Sequence, residues 1–213
     1  MADNIAITAG AGTSIAADDI SSVFYQRVKV SVGADGSATD LSSTNPMPVM
    51  GSVVRIDTEF TRPADTTSYS ANDVVSNSTS STTLIDLASA VRANGASGYI
   101  VAARLFTDKK SITPKFRVHF FNASNPTVSV DNANMRLLYA DVAKYLGYVD
   151  LAAMATGKDT TNSTMSFSAN SAVRLPVVAG GATRSIYAVL ETLDNFAPAS
   201  GQKFTLSIFI DNN

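Results

Sequence analysis

SGYIVAARLFTDKKSITPKFRVHFFNA, residues Ser97 to Ala123, is the stretch whose reading decides the fold. In Tyr99–Phe106 and Lys115–Phe121, bulky apolar residues alternate with small or charged ones, the period of a half-buried strand. Phe116, Val118 and Phe120 share one face, and Arg117 and His119 share the other. Between the two strands, Asp108, Lys109, Lys110, Ser111 and Pro114 supply the charge and the break that a turn needs. Two strands cannot bury an apolar face alone, so further strands must cover them.

Working toward the C-terminus, Asn125–Asn134 reads as a loop. Leu138, Val142, Tyr145 and Leu146 have helical spacing, so a short helix is expected within Met135–Leu146. The strand Lys144–Leu151 follows, with Gly147 at a bulge. Thr156–Thr164 is polar loop and Met165–Ala169 a short strand. Val173–Val178 and Arg184–Leu193 are expected to form a hairpin about Gly180-Gly181. In the last strand, Lys203–Asp211, the residues Phe204, Leu206, Ile208 and Ile210 fall on one face, and IFIDNN is expected to close the chain without a tail.

Working toward the N-terminus, Leu84–Val91 fits either a strand or a single helical turn. Asn77–Thr83 is a low-complexity polar loop, Val74–Val75 begins a short strand, and Val53–Phe60 is another. From Val53 onward this makes about eight strands with regular turn signals and no βαβ alternation. The expected fold is all-β, a jelly-roll-like antiparallel β-sandwich with at most one or two short helices. Residues 1–52 differ. Ile5–Thr8 is a short strand candidate, Val23–Val32 alternates, and Asp35-Gly36 signals a turn, but large apolar residues are few and Pro46 and Pro48 favour extended backbone. This part reads as an extended arm that orders mainly against something else, and residues 53–213 as the body.

Composition narrows the chemistry. The 213 residues contain no cysteine, which excludes disulfides, thiolate metal sites and cysteine nucleophiles. The net charge is −2 without a Lys/Arg cluster, so nucleic acid is not an expected partner. No membrane-length apolar run and no signal peptide are seen. Among the 18 acids only Glu59 and Glu191 are glutamates, and the Asp, Asn, Ser and Thr content suits turns and caps.

No enzyme signature emerges. His119 is the sole histidine and lacks a nucleophile-elbow motif, so a surface or intersheet role is expected. Glu59 and Glu191 would have to flank one bond to form a glycosidase pair, and outward charges on strands are the ordinary explanation. Asp131, Asp150, Asp159 and Asp194 lie in or near loops without EF-hand spacing, so turn-capping is expected rather than calcium. The GAGTS run has the glycines of a phosphate loop without its lysine. The Asn-x-Ser/Thr triplets at Asn77, Asn122 and Asn162 are chance matches without a secretory signal. Tyr69 and Tyr148 are the conceivable sugar-stacking residues. No catalytic, cofactor-binding or metal-binding residue is assigned.

Two segments carry a resemblance. Ile7–Gly36, ITAGAGTSIAADDISSVFYQRVKVSVGADG, has a Gly-rich start, an Asp18-Asp19-Ile20 step, a Tyr25-Gln26-Arg27-Val28-Lys29 strand and an Asp35-Gly36 turn. It resembles the opening of many tailed-bacteriophage virion proteins. Gly98–Leu151 is similar to the body of uncharacterised phage structural proteins that accompany such openings. The two together span somewhat under half of the chain. The resemblance implies a non-enzymatic virion component, made in the bacterial host cytoplasm, with no catalytic or cofactor residues to carry over. The expected type is a head decoration or cement protein bound to the major capsid protein or other virion proteins. Self-association is expected, with a trimer favoured by the class. The alternative is a tail, neck or head-fibre component that binds host glycan; a carbohydrate-active enzyme is a third. Attachment is expected in Ile5–Val32, through Ile5, Ile7, Ile20, Tyr25, Arg27 and Lys29.

Overall fold

The computed structural model describes residues 17–21, 23–26, 31–32, 39–40, 53–81, 83–157 and 164–212. The chain divides into two compact units, Met1–Met50 and Gly51–Asn213. In the first, β1 (Ala17–Ile20) pairs antiparallel with β2 (Val23–Gln26), and β3 (Ser31–Val32) with β4 (Thr39–Asp40). β3 and β4 flank the Asp35-Gly36 dipeptide, which itself lies outside the described residues.

The second unit is all antiparallel strand with a single short helix among the described residues. Its strands are β5 (Val53–Thr61), β6 (Val74–Val75), β7 (Ile85–Leu87), β8 (Ser97–Thr107), β9 (Phe116–Phe121), β10 (Tyr145–Asp150), β11 (Met154–Thr156), β12 (Ser166–Ser168), β13 (Ser171–Val178), β14 (Ile186–Thr192) and β15 (Lys203–Asp211). They form two sheets. Sheet I runs β10-β9-β14, with β6 and β7 sharing the far edge of β14. Sheet II runs β5-β15-β8, with β13 and β12 sharing the far edge of β8 and β11 outside β12.

With β11 set aside as an addition outside β12, eight positions describe this order once strands that share an edge are merged. Numbered along the chain, sheet II reads first, eighth, third, sixth, and sheet I reads second, seventh, fourth, fifth. Each pair of first with eighth, second with seventh, third with sixth and fourth with fifth is hydrogen-bonded. The chain is therefore a long ribbon folded back on itself and rolled so that successive pairs alternate between sheets, which is the jelly roll.

Alternation places the core where the sequence predicts. Phe204, Leu206, Ile208 and Ile210 of β15, and Phe116, Val118 and Phe120 of β9, are fully buried between the sheets. Phe204 stacks on Phe60 at 5.7 Å and meets the edge of Phe116 at 5.8 Å. In β8 the alternation changes phase. A bulge opposite Phe209–Ile210 lets Ile100 and Ala103, three apart, both face inward.

Several expectations require correction. The turn read between β8 and β9 does not make them a hairpin, because they lie in different sheets. The connection between them carries the chain from sheet II to sheet I, pinned by the Lys203 amide donating to Asp108 Oδ1 at 3.0 Å. The expected hairpin about Gly180-Gly181 is likewise a crossing, since β13 pairs with β8 and β14 with β9. Alternation fixes a strand's buried face and not its partner, and in this jelly roll successive positions change sheet except the fourth and fifth, β9 and β10, which pair. Gly180 marks the crossing, because a Cβ there would lie 2.8 Å from the Asn122 carbonyl oxygen. Leu84–Val91 resolves into β7 rather than a helical turn. The short helix is a 3-10 helix over Tyr139–Lys144, and Gly147 sits at the expected bulge with φ +119°.

Candidate functional site

The outer face of sheet I holds the densest set of chemically capable side chains among the described residues. Arg117, His119 and Phe121 alternate out of the core-facing row of β9. On β14 the neighbours opposite them are Glu191, Val189 and Tyr187, and on β10 they are Asp150, Tyr148 and Tyr145. The connection from β9 to β10 returns over this face. It hydrogen-bonds along β6, where the Val74 amide donates to the Ala133 carbonyl at 2.9 Å. Val128, Met135, Tyr145 and Tyr187 pack with Val74, Leu84, Phe121 and Val189 into a second apolar cluster.

His119 is buried under this cover. Its Nε2 lies 2.8 Å from Glu191 Oε2 and its Nδ1 3.0 Å from the Tyr145 hydroxyl. A neutral imidazole that donates from Nε2 to the carboxylate and accepts the tyrosine proton at Nδ1 satisfies all three groups. Burial raises the Tyr145 hydroxyl to about 12, so it remains a donor at neutral pH. Both ring nitrogens are thus engaged, Nε2 with Glu191 and Nδ1 with Tyr145, and no serine or threonine hydroxyl among the described residues bonds to the ring. The arrangement orients a side chain and shows no nucleophile for it to activate.

Beside it, Arg117 Nε donates to Asp150 Oδ1 at 2.6 Å and Nη2 to Oδ2 at 3.1 Å, a bidentate pair. The guanidinium lies 4.1 Å from the centre of the half-exposed Tyr148 ring. The bond from Arg117 holds the Asp150 carboxyl below its usual value. A depressed carboxylate pKa gives stability that is present above the unfolded value of about 3.9 and lost as pH falls through the lower folded value. The pair is part-exposed, so its contribution is at most about 1 kcal/mol. We expect an Asp150→Asn chain to melt about 2 °C below wild type at pH 7. That gap should narrow as pH falls below about 3.9 in a thermal melt series and close only once the lowered folded value is passed. An unchanged gap across that range would remove Asp150 as its source.

Tyr145 also forms one wall of an apolar pocket of about 280 Å³, lined with Phe121, Leu137, Leu138, Tyr139 and Val142. Asp141 at its edge accepts the Thr127 amide at 2.7 Å and pairs with Lys144 at 2.8 Å, which fixes the short helix to the connection. The bond from Lys144 holds the Asp141 carboxyl below its usual value. Helical spacing predicted one apolar stripe through Leu138, Val142, Tyr145 and Leu146, yet Val142 is 59% and Tyr139 90% exposed. This apolar surface faces outward, as surfaces that meet other molecules do.

The other residues weighed from sequence separate. Glu59 projects from the outer face of sheet II, paired with Lys203 at 2.8 Å, while Glu191 is on the outer face of sheet I. Two carboxylates on opposite faces of the sandwich cannot flank one glycosidic bond. Tyr69 is buried and stacked on Phe196 at 4.8 Å, which removes it from sugar binding. Asp131 is buried rather than capping an exposed turn, and Asp194 accepts the Lys115 amide at 2.8 Å. Asp159 and Asn162 lie outside the described residues, as do Ile5, Ile7, Arg27 and Lys29. Ile20 ends β1 opposite Val23, and Tyr25 lies in β2 opposite Asp18. Among the described residues no group of three or more His, Asp or Glu is placed to hold a metal ion. Sequence reasoning missed the pocket and the Glu191–His119–Tyr145 relay, whose members are up to 72 positions apart. No protein-family model matches the chain, and no curated protein sequence does.

Proposed function

We propose that the chain is a non-enzymatic bacteriophage virion protein, a head decoration or cement protein that binds the outside of the capsid. The reading is carried by the division of the chain. A jelly-roll body closes its own core, and it is preceded by a separate unit of short paired strands containing Asp18-Asp19-Ile20 and Tyr25-Gln26 of the phage-like opening. In this role the N-terminal unit attaches to the major capsid protein or a neighbouring virion protein, through Ile5, Ile7, Ile20, Tyr25, Arg27 and Lys29. Copies of the body associate, a trimer suiting local threefold positions of a shell. The exposed Leu137–Val142 surface supplies apolar area for such contacts. Linking several copies makes weak arm contacts act together.

Copy number tests the assignment. A shell-covering protein is expected in hundreds of copies per particle, following the symmetry of the shell. A quantified gel of purified virions that gives roughly a dozen copies would replace the cement role with a tail, neck or head-fibre role.

A further inference from the structure

The outer face of sheet II carries an arginine that the fold does not pair. Arg104, on β8, is partly buried, and its Nε is enclosed with no hydrogen-bond partner. Its guanidinium is held by rings, 4.9 Å from the centre of Phe106 and 5.5 Å from Phe209. The acid that feels its charge is Asp57. Burial pushes the Asp57 carboxyl up, but bonds from Ser207 and Arg55 and the charges of Arg55 and Arg104 outweigh it and hold it low. Asp57 is thus already engaged, 2.8 Å from Arg55. The enclosed Nε cannot reach a ligand, but the two terminal nitrogens of this partly buried arginine are not enclosed and make no hydrogen bond, so they retain capacity for something else.

Arg104 lines a depression of about 290 Å³, together with Phe106, Met165, Phe167 and Asn170. Phe106 and Phe167 lie 6.3 Å apart with their rings inclined at 35°, forming an aromatic wall beside the cation. Met165 is 38% exposed at the rim. The elements are a planar fork suited to a carboxylate, two ring faces for an apolar C–H surface, and an amide for hydroxyls. The volume is at the small end of ligand sites, the scale of one ring rather than a chain of them.

We propose that this depression binds a single acidic sugar residue, a uronic acid within a polysaccharide. Its carboxylate lies on the Arg104 guanidinium, its C–H face on Phe106 and Phe167, and its hydroxyls reach Asn170. One carboxylate meets one arginine, which disfavours nucleic acid, whose phosphates require several cations. An acidic peptide would satisfy Arg104 but leave the aromatic wall unfilled. The proposal is independent of how the chain attaches to a particle.

The test uses the full chain and a short glucuronate oligosaccharide, with a neutral glucose oligosaccharide and a poly-aspartate peptide as comparisons. Calorimetry or saturation-transfer NMR should detect the uronate, with binding that weakens as salt rises, and should give much weaker binding of the neutral sugar. Arg104→Leu should weaken uronate binding about tenfold or more, while Arg104→Lys retains part of it. Phe167→Ala should weaken it severalfold, and it decides the question if Arg104→Leu does not fold. The idea is overturned if the full chain binds no uronate, or if a folded Arg104→Leu chain binds it as wild type does. It is also overturned if the peptide binds as tightly as the sugar, since the occupant is then a protein.

Discussion

An Arg62→Met chain should melt about 6–20 °C below wild type, the largest single-residue effect expected in the body. The Arg62 side chain is fully enclosed where three loops meet. Its Nε donates to the Tyr69 hydroxyl at 2.8 Å, and that hydroxyl donates to Asp131 Oδ1 at 2.6 Å. Its terminal nitrogens reach the Asp65 carboxylate at 3.0 Å, the Asp65 carbonyl at 2.6 Å and the Ala199 carbonyl at 3.2 Å. Asp131 Oδ1 accepts the Ser76 amide and the Tyr69 hydroxyl, while Oδ2 lies 3.5 Å from Arg62 without a hydrogen-bond partner, so this cation is the counter-charge it faces. Methionine fills much of the volume but leaves a buried carboxylate without a counter-charge, a loss on the order of 3–5 kcal/mol.

The same site gives a pH signature with a definite sign. Burial holds the Asp131 carboxyl above its ordinary value, and losing Arg62 removes an influence that lowers it. A carboxyl raised on folding binds its proton more tightly in the folded state, so stability is favoured below the unfolded pKa and declines as pH rises through the folded one. The Arg62→Met deficit should therefore be smallest in mild acid and grow toward pH 7. Asp131→Asn added to Arg62→Met should recover part of the loss at neutral pH. A deficit under about 1 kcal/mol with no pH dependence would show that water or loop rearrangement compensates Asp131.

The second large effect concerns attachment. A chain beginning at Gly51 should fold, because every residue of the two described apolar clusters lies between Ile56 and Ile210. Its melting temperature should lie within about 2 °C of wild type, while its binding to particles should weaken at least about a hundredfold through lost avidity. Fixing an arm costs conformational entropy per residue, so such contacts hold only when several act together. Full occupancy of capsids by the shortened chain would move attachment to the body, with Leu137–Val142 as the first surface to mutate. Failure of the shortened chain to fold would make the N-terminal unit part of the sandwich.

What the sequence made legible was local. The outline of β8, β9 and β15 and the bulge at Gly147 follow from period-two alternation and one glycine. Partner choice did not, because a strand that buries alternate residues does so equally well in either sheet. Gly180-Gly181 looks like a hairpin turn in sequence and works as a passage between layers. The site was less legible still. Arg62 follows a strand and precedes proline, a context that reads as exposed loop, and only the convergence of distant loops buries it. Arg104 and Phe106 are two apart and so share a face, which sequence contains; the second ring, Phe209, comes from a strand over a hundred residues away.

The ribbon topology has a practical consequence for engineering. Because the first and eighth positions are neighbours, Val53 lies opposite Asp211 in the ladder between β5 and β15. A short glycine-rich linker from residue 212 back to residue 53 should close the body into a ring. New termini opened in the exposed polar run near Ser80 would then give a circular permutant with every β-ladder of the body retained. A peptide grafted after Asp211 would emerge beside the start of β5, whereas one inserted near Ser80 would be displayed from the loop between β6 and β7. The same body thus offers two separate positions for presenting foreign sequence.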